Sequence, residues 1–152
     1  MEVSISIPLD GDGFIRRTCP KCTTEFKWHI GRTDETPADW DDPPAYWCPI
    51  CGEASPNDEF LTEAQAEFIK ESMAGPALDM IGDALEDAFR GSKSITMKRG
   101  NHSDYPEPPT PLTEPDDMLQ IKSPCHPWEP VKVSEDSIAP YHCLVCGEAF
   151  AV

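Results

Sequence analysis

The sequence predicts a small α+β protein in which two similar β modules are joined by a helical segment and a proline-rich linker. Three observations support this prediction: a nine-residue segment that occurs twice, paired cysteines beside short alternating patterns, and one helical pattern in the middle of the chain. The chain has 152 residues, and its 17 prolines divide the apolar residues into short stretches. Because domains this small usually need a disulfide, a metal or a partner, the seven cysteines require an explanation.

The first module covers residues 1–60, where short alternating stretches predict strands around turns. Residues 4–7 (SISI) alternate with period two, and residues 14–17 (FIRR) form a second short strand pattern after a glycine-rich turn signal. Residues 25–30 (EFKWHI) alternate again and predict the returning strand. Residues 31–44 are polar and contain several prolines, so we expect a loop there.

The connection between the modules begins with a helical segment over residues 61–92. Thr62 and Gln65 match a capping box, and apolar or small residues then recur every three or four positions as far as residue 89. Gly75 and Pro76 interrupt this stripe, and because proline removes a backbone donor we expect a kink near 75–76 or two helices.

The connection continues through residues 93–117 as a short strand and a linker. Residues 93–99 (KSITMKR) predict the strand, and residues 101–117 contain five prolines among acidic and polar residues. Such a composition favours an extended spacer.

The repeated segment is the strongest pattern in the chain. Residues 46–54 (YWCPICGEA) and residues 141–149 (YHCLVCGEA) are identical at six of nine positions, which predicts a second module over residues 118–152. In each copy two cysteines at i and i+3 are followed by glycine, which lets the backbone turn around a metal ion.

In the first module the partner of this motif is the pair Cys19 and Cys22. Together with Cys48 and Cys51 it gives the spacing C-x2-C-x25-C-x2-C, which supplies four thiolates for a closed tetrahedral site. Over roughly residues 14–60 this arrangement resembles the zinc-ribbon family, and more narrowly a rubredoxin-like ribbon. It departs from rubredoxins at Thr23, where they typically have glycine, and in a shorter loop between the two motifs.

The second module contains only three cysteines, so its fourth ligand has to come from elsewhere. Residues 121–125 match residues 15–19, which places Cys125 in the position of Cys19, whereas the counterpart of Cys22 is Trp128. The candidates for the fourth ligand are His126 and His142. His142 aligns with Trp47, outside the first site, so we expect it to pack against the ribbon.

We therefore predict a second site that consists of Cys125, His126, Cys143 and Cys146. Three cysteines with His142, or three cysteines with a water, remain the alternatives. We expect two structural zinc ions in all, with iron as the alternative at the four-cysteine site, because tetrahedral sulfur ligation suits both metals.

The charge balance bears on partners and location. With 28 acidic against 12 basic residues the formal net charge is −16, which disfavours nucleic acid and favours a basic protein partner. The sequence shows no signal peptide and no membrane-spanning stretch, so we expect a soluble cytoplasmic protein in which cysteines hold metal. The apolar stripe of residues 61–89 must be covered by the chain itself or by another chain, which would allow an oligomer.

These observations favour a non-catalytic interaction or adaptor module stabilised by zinc. None of the common phosphate-binding, nucleophile or metalloprotease motifs occurs in the sequence. One alternative is electron transfer by a rubredoxin-like iron site. A second, which depends on the charge alone, is an acidic inhibitor or nucleic-acid mimic.

Overall fold

The structure, a computed structural model, describes residues 5–89 and 108–152. The chain divides into two compact units. One consists of Met1–Ser6 and Ala64–Leu112, and the other of Ile7–Glu63 and Thr113–Val152. Both cysteine-bearing modules therefore belong to the same unit, which we call the ribbon unit.

The described residues of the ribbon unit form eight short strands in three antiparallel sheets, and together with the one long helix they confirm the α+β class. The strands are β1 (Phe14–Thr18), β2 (Glu25–His29), β3 (Ala45–Trp47), β4 (Ala54–Pro56), β5 (Leu119–Ile121), β6 (Val131–Val133), β7 (Tyr141–His142) and β8 (Ala149–Phe150). Strands β3 and β4 pair with each other, as do β7 and β8, while the other four form a central sheet.

The central sheet joins the two modules symmetrically. Its order is β1-β2-β6-β5, so each module contributes one hairpin and the hairpins meet where β2 pairs with β6. Ile15 pairs with Trp28 in the first hairpin and Ile121 pairs with Val131 in the second. Since Trp28 also pairs with Val131, an approximate twofold axis passes between these two residues. The register thus makes Ile15 and Ile121 equivalent, as their place in the sequence repeat suggests.

One face of the central sheet carries the apolar core. Alternation along β1 and β2 places Ile15, Phe26 and Trp28 on this face, and the same alternation along β6 adds Val131 and Val133. All five are buried, and they cluster with aromatic residues from the two small hairpins and from the segment after β4. The cysteine motifs join this core through Cys19 and Cys48. The first of the two cysteine clusters described below therefore lies against the apolar core of the ribbon unit.

The opposite face of the central sheet carries buried charges, which the alternating pattern alone would have placed in solvent. Lys27 is fully buried and pairs across the strands with Lys132, which is 1% exposed. Both ammonium groups contact the carboxylate of Asp10, at 3.2 and 2.8 Å. We call Lys27, Lys132 and Asp10, together with the carboxylates of the segment before β5 described next, the buried ion cluster.

The segment before β5 is held on this face. Residues 108–117 form no helix or strand, in keeping with a proline-rich connection, yet Glu114 contacts Lys27 at 3.0 Å and Asp116 contacts Lys132 at 2.9 Å. The backbone carbonyl of Pro115 also accepts a hydrogen bond from Lys27. This part of the predicted spacer is therefore bound to the sheet by ion pairs.

One long helix, α1, runs from Glu63 to Phe89 and is preceded by a 3-10 turn at Asn57–Glu59. It begins directly after Thr62, where the capping pattern predicts a helix start. The sequence predicted a kink near 75–76 or two helices; Pro76 lies inside one continuous helix, so a division into two helices is not observed. Neither α1 nor any other helix among the described residues is long and apolar enough to cross a membrane.

Two predicted strands need comment. Residues 5–7, the described part of the first alternating pattern, are not in a strand, because they find no partner strand in the described part of the chain. The predicted strand at residues 93–99 lies outside the described residues, as does the first part of the predicted linker.

Candidate metal centres

The first cluster consists of Cys19, Cys22, Cys48 and Cys51, whose Sγ atoms all lie within 4.8 Å of one another. Cys19 and Cys22 stand in the turn between β1 and β2, and Cys48 and Cys51 in the turn between β3 and β4. The closest Sγ–Sγ distances between the two turns are 3.7 Å for Cys19 and Cys51 and 3.8 Å for Cys22 and Cys48. Separations of this size are those of ligands around one tetrahedral ion.

In each turn of the first cluster, backbone N–H groups point at the Sγ atom of the first cysteine. The amides of Lys21 and Cys22 donate to Cys19 Sγ at 3.3 and 3.4 Å, and those of Ile50 and Cys51 donate to Cys48 Sγ at 3.4 and 3.5 Å. Hydrogen bonds to a sulfur stabilise its thiolate form, which is the form that binds metal.

The two turns differ at the residue that follows the second cysteine. Gly52 has a φ of 74°, which glycine adopts readily, whereas Thr23 has a φ of 62° in the same left-handed region. The Thr23 side chain donates a 2.6 Å hydrogen bond to the carbonyl of Cys22, which partly offsets the strain. Thr23 therefore departs from the rubredoxin pattern in residue type, but the turn keeps the same left-handed conformation.

The acid–base properties of the first cluster favour a bound cation. Burial raises the pKa of Cys48 well above its ordinary value, and the nearby Cys19 and Cys22 raise it further. For Cys22 burial also acts to raise the pKa, but hydrogen bonds from Thr24 outweigh it and lower the pKa to about 7. Four sulfurs this close cannot all ionise without a positive charge among them, and a divalent ion would supply it.

The second cluster consists of Cys125, His126, Cys143 and Cys146, whose ligand atoms again lie within 4.8 Å of one another. Cys125 and Cys146 are separated by 3.4 Å between their Sγ atoms, and His126 Nδ1 lies 3.3 Å from Cys143 Sγ. Cys143 is buried, whereas Cys146 is exposed. The structure thus brings together the four residues predicted for this site, and their binding of an ion remains a prediction.

Polar neighbours support Cys143 in the second cluster. Ser123 Oγ donates to Cys143 Sγ at 3.1 Å. Burial acts to raise the pKa of Cys143, but this hydrogen bond and backbone N–H groups of its turn lower it to about 7. Burial raises the pKa of Cys146 to about 11, with the neighbouring Cys125 and Cys143 adding to the effect.

His142, the other candidate for the fourth ligand, lies outside the second cluster. Its Nδ1 is 3.2 Å from the carbonyl of Gly147, and its ring covers Gly52 of the first module. A Cβ added at Gly52 would come within 2.8 Å of that ring. His142 therefore packs against the other module's turn, as its alignment with Trp47 suggests.

The contact between the turns is reciprocal. Trp47 covers Gly147, where an added Cβ would come within 2.5 Å of the indole. Two backbone hydrogen bonds lie beside these rings: Trp47 N–H donates to Leu144 at 2.8 Å, and His142 N–H donates to Pro49 at 2.9 Å. The repeated segments thus pack face to face, and each glycine accommodates the aromatic ring of the other copy.

Trp128, which stands where the repeat would place a fourth cysteine, packs beside the second cluster. Its ring lies 5.2 Å from that of His126 in an edge-on arrangement and 5.3 Å from that of Trp40. Trp40 in turn donates a 3.0 Å hydrogen bond to the buried carboxylate of Glu129. These contacts fix the orientation of His126, the only nitrogen ligand of the predicted set.

The donor atoms match a metal well. Four sulfurs, or three sulfurs and one imidazole nitrogen, are the usual ligand sets of structural zinc, and four sulfurs also suit iron. Within residues 5–89 and 108–152 these are the two groups of three or more cysteine, histidine or acidic residues close enough to share an ion. The clusters are consistent with zinc-ribbon-like modules.

Sequence reasoning missed the buried ion cluster. Its sequence signals are the acidic turn at residues 10–12 and the three acidic residues within 114–117, which the alternating strand pattern does not connect to the lysines.

Comparisons with models of known protein families, with curated proteins and with solved structures find no match for this chain. The class of this protein is therefore described from its structure alone: it is a small α+β protein with two candidate metal centres.

Proposed function

We propose that this protein is a non-catalytic interaction module whose ribbon unit is stabilised by two structural zinc ions. The observation that supports this most directly is the presence of two groups of four cysteine or histidine donors, each within 4.8 Å, the first of them against the apolar core. Zinc binding of this kind contributes directly to the free energy of folding, which a core assembled from strands of two to five residues needs.

A structural role fits the ligand sets better than a catalytic one. Catalytic zinc keeps a coordination position open for water, whereas four protein donors close a tetrahedral site. His126 provides the fourth donor of the second cluster, and its ring is packed between Trp40 and Trp128. Neither cluster therefore needs a water ligand.

The metal assignment can be tested by elemental analysis of the purified protein. We expect zinc at both clusters, loss of one ion in Cys48→Ser, and loss or weakening of the other in His126→Ala. His142→Ala is the matched control and should keep both ions, because His142 lies outside the second cluster. Loss of zinc in His142→Ala with none in His126→Ala would contradict the ligand assignment.

Electron transfer by iron at the first cluster is the second candidate function. The four-cysteine ligation and the backbone N–H groups that point at Cys19 and Cys48 favour it, because both features also support an iron–thiolate centre. Colour separates the two candidates: an oxidised iron–thiolate site absorbs visible light, whereas a zinc site is colourless. A colourless protein with a full complement of zinc would exclude the iron candidate.

The proposed interaction role is based on the exposed apolar residues of α1 and on the net negative charge of the chain. Met73, Met80, Ile81 and Leu85 are between 41% and 65% exposed on this helix, and the chain carries a formal charge of −16. An exposed apolar surface on a strongly acidic chain suits a partner with apolar and basic groups, or a second copy at high salt.

This role can be tested by sedimentation of the metal-loaded protein, alone and with a basic amphipathic peptide, at low and high salt. We expect association that weakens when Met80 and Ile81 are both changed to Asn. The exposed Glu67→Gln is the control variant. A monomer that binds no such peptide at any salt concentration would contradict the interaction role and leave the metal assignment intact.

A further inference from the structure

A cavity of about 340 Å³ borders the apolar face of the central sheet. Its volume is at the lower end of the range for small-molecule sites, which start at roughly 300 Å³. The walls combine aromatic rings with charges of both signs. The wall residues that matter here are Arg17, Trp28, Asp42, Tyr46, Asp58 and Glu129.

Arg17 is the unusual residue in this cavity, because it projects from the apolar face of the sheet. Its guanidinium stacks on Trp28, 4.6 Å from the ring centre, and its buried Nε has no hydrogen-bond partner. Its neighbour Arg16, on the opposite face, contacts three carboxylates at 2.6 to 3.1 Å. Within the described residues no carboxylate reaches Arg17 in this way. A guanidinium with unused donors is suited to bind a carboxylate.

The wall of the cavity also contains acidic residues. The buried carboxylate of Glu129 accepts a 3.0 Å hydrogen bond from Trp40, and Asp42 lies beside both Glu129 and the Tyr46 hydroxyl. Asp58 adds a third, exposed carboxylate to the wall. Burial, together with the neighbouring Asp42, raises the pKa of Glu129 to about 7, so the negative charge of the wall is carried mainly by Asp42 and Asp58, which favour a cation.

We propose that the cavity binds a small ligand with a carboxylate at one end and an ammonium or guanidinium at the other, such as lysine or arginine with a free carboxylate. The ligand carboxylate pairs with Arg17 and its cationic end with Asp42 and Asp58, while Trp28 and Tyr46 contact the aliphatic stem. A simple anion is repelled by Asp42 and Asp58, and a simple cation is repelled by Arg17. A ligand that carries both charges can pair with Arg17 and with the acids of the wall.

The ligand can come from two sources, a free amino acid or the C-terminal residue of a peptide, and the experiment separates them. Calorimetry of the metal-loaded full-length protein is carried out with L-lysine, L-arginine, L-argininamide, acetate and the tripeptide Gly-Gly-Lys. We expect saturable binding of the free amino acids, the tripeptide or both, and at least about tenfold weaker binding of argininamide and acetate. Comparable binding of the tripeptide and lysine identifies a peptide C-terminus as a ligand source, and binding of lysine alone identifies the free amino acid.

Two variants test the wall residues. Arg17→Met keeps the length and packing of the side chain but removes the charge, and Asp58→Asn changes an exposed carboxylate with little risk to folding. Both should weaken binding by about tenfold, whereas the exposed Glu53→Gln, outside the cavity, should not. Absence of binding at about 1 mM of every probe, equal binding of arginine and argininamide, or unchanged binding in both variants would overturn the proposal. None of these outcomes depends on the interaction role of α1.

Discussion

At the scale of single residues, the contact between the two turns depends on glycines at which a side chain would meet the aromatic ring of the other copy. Gly147 has a φ of 76° and is covered by Trp47, so a side chain there meets both backbone strain and a steric clash. Gly31 has a φ of 90° with open space around it, and Gly11 has open space without a left-handed φ. Comparing these three positions therefore separates the effect of backbone strain from the effect of the steric clash.

We predict a graded loss of stability when each of these glycines is replaced by alanine. Gly11→Ala should change the free energy of unfolding little, and Gly31→Ala should lower it by about 1 kcal/mol. Gly147→Ala should lower it by at least about 1 kcal/mol more, because the Trp47 indole has to move. Denaturant unfolding in excess zinc measures all three. Equal losses in Gly31→Ala and Gly147→Ala would show that Trp47 does not press on Gly147.

The residue scale is also where the sequence was most informative. The repeat predicted which cysteines come together, because two identical turn motifs imply the same local backbone. The alternation over residues 25–30 predicted a strand, in which Phe26 and Trp28 share one face, but it gave no sign that Lys27 on the other face is buried. Its burial requires Asp10, Glu114 and the partner strand β6, none of which is near it in the sequence. Sequence periodicity predicts which residues share a face of a strand, but it does not predict what packs against that face.

At the scale of elements, the buried ion cluster fixes the segment before β5 on the central sheet. Lys132 contacts Asp10, Asp12 and Asp116, each at 2.8 to 2.9 Å, with 2% of its side chain exposed. Lys122 makes a comparable 2.8 Å contact with Glu35, but both side chains are nearly half exposed. The two lysines therefore differ mainly in burial.

We predict that Lys132→Met lowers the free energy of unfolding by about 2 kcal/mol, because the buried carboxylate of Asp10 then keeps only one of its two cations, Lys27. Lys122→Met is the matched control and should cost less than about 1 kcal/mol, since water and salt screen an exposed pair. Urea unfolding of the zinc-loaded variants gives both values. Similar small losses in the two variants would mean that the cluster is more hydrated than its burial indicates.

The cluster should also make stability depend on pH through Asp10. Burial acts to raise the pKa of Asp10, but hydrogen bonds from Lys132, the Phe14 amide and Lys27 outweigh it and hold the pKa well below the usual 3.8. A lowered folded-state pKa stabilises the protein above the unfolded-state value, and this contribution is lost as the pH falls further.

We therefore predict that wild type is more stable than Asp10→Asn at neutral pH and that the difference begins to shrink below about pH 5. Acid also releases zinc, on which the ribbon unit depends, so the comparison uses only pH values at which both proteins still hold their metal. Unfolding curves from neutral pH down to that limit provide the measurement. A difference that grows on acidification would contradict the role given to Asp10.

At the scale of the whole molecule, the two cysteine-bearing modules form a single ribbon unit that contains both clusters. The modules share the central sheet through β2 and β6, and their turns pack through Trp47, Gly147, His142 and Gly52. The sequence repeat predicted two modules but left open whether they share strands. The pairing of Trp28 with Val131 joins residues far apart in the chain, and short strands carry little signal for their partner.

A shared sheet predicts that the two clusters are coupled. Cys48→Ser should weaken zinc binding at the second cluster by about fivefold or more, because the Trp47–Gly147 contact is lost with the first turn. His126→Ala should weaken the first cluster by a similar factor, since coupling between binding sites is reciprocal. Competition titrations with a zinc indicator measure both affinities. Unchanged affinity at the remaining cluster would show that the modules fold independently.

The central claim, that metal ions hold the ribbon unit together, is tested most directly by removing them. Metal release and near-ultraviolet circular dichroism can be followed together while a strong chelator is added to the full-length protein. We expect the tryptophan signal of the ribbon unit to disappear in step with zinc release and to return when zinc is restored. A purified protein without bound transition metal, or a signal that persists after all metal has been removed, would contradict the claim.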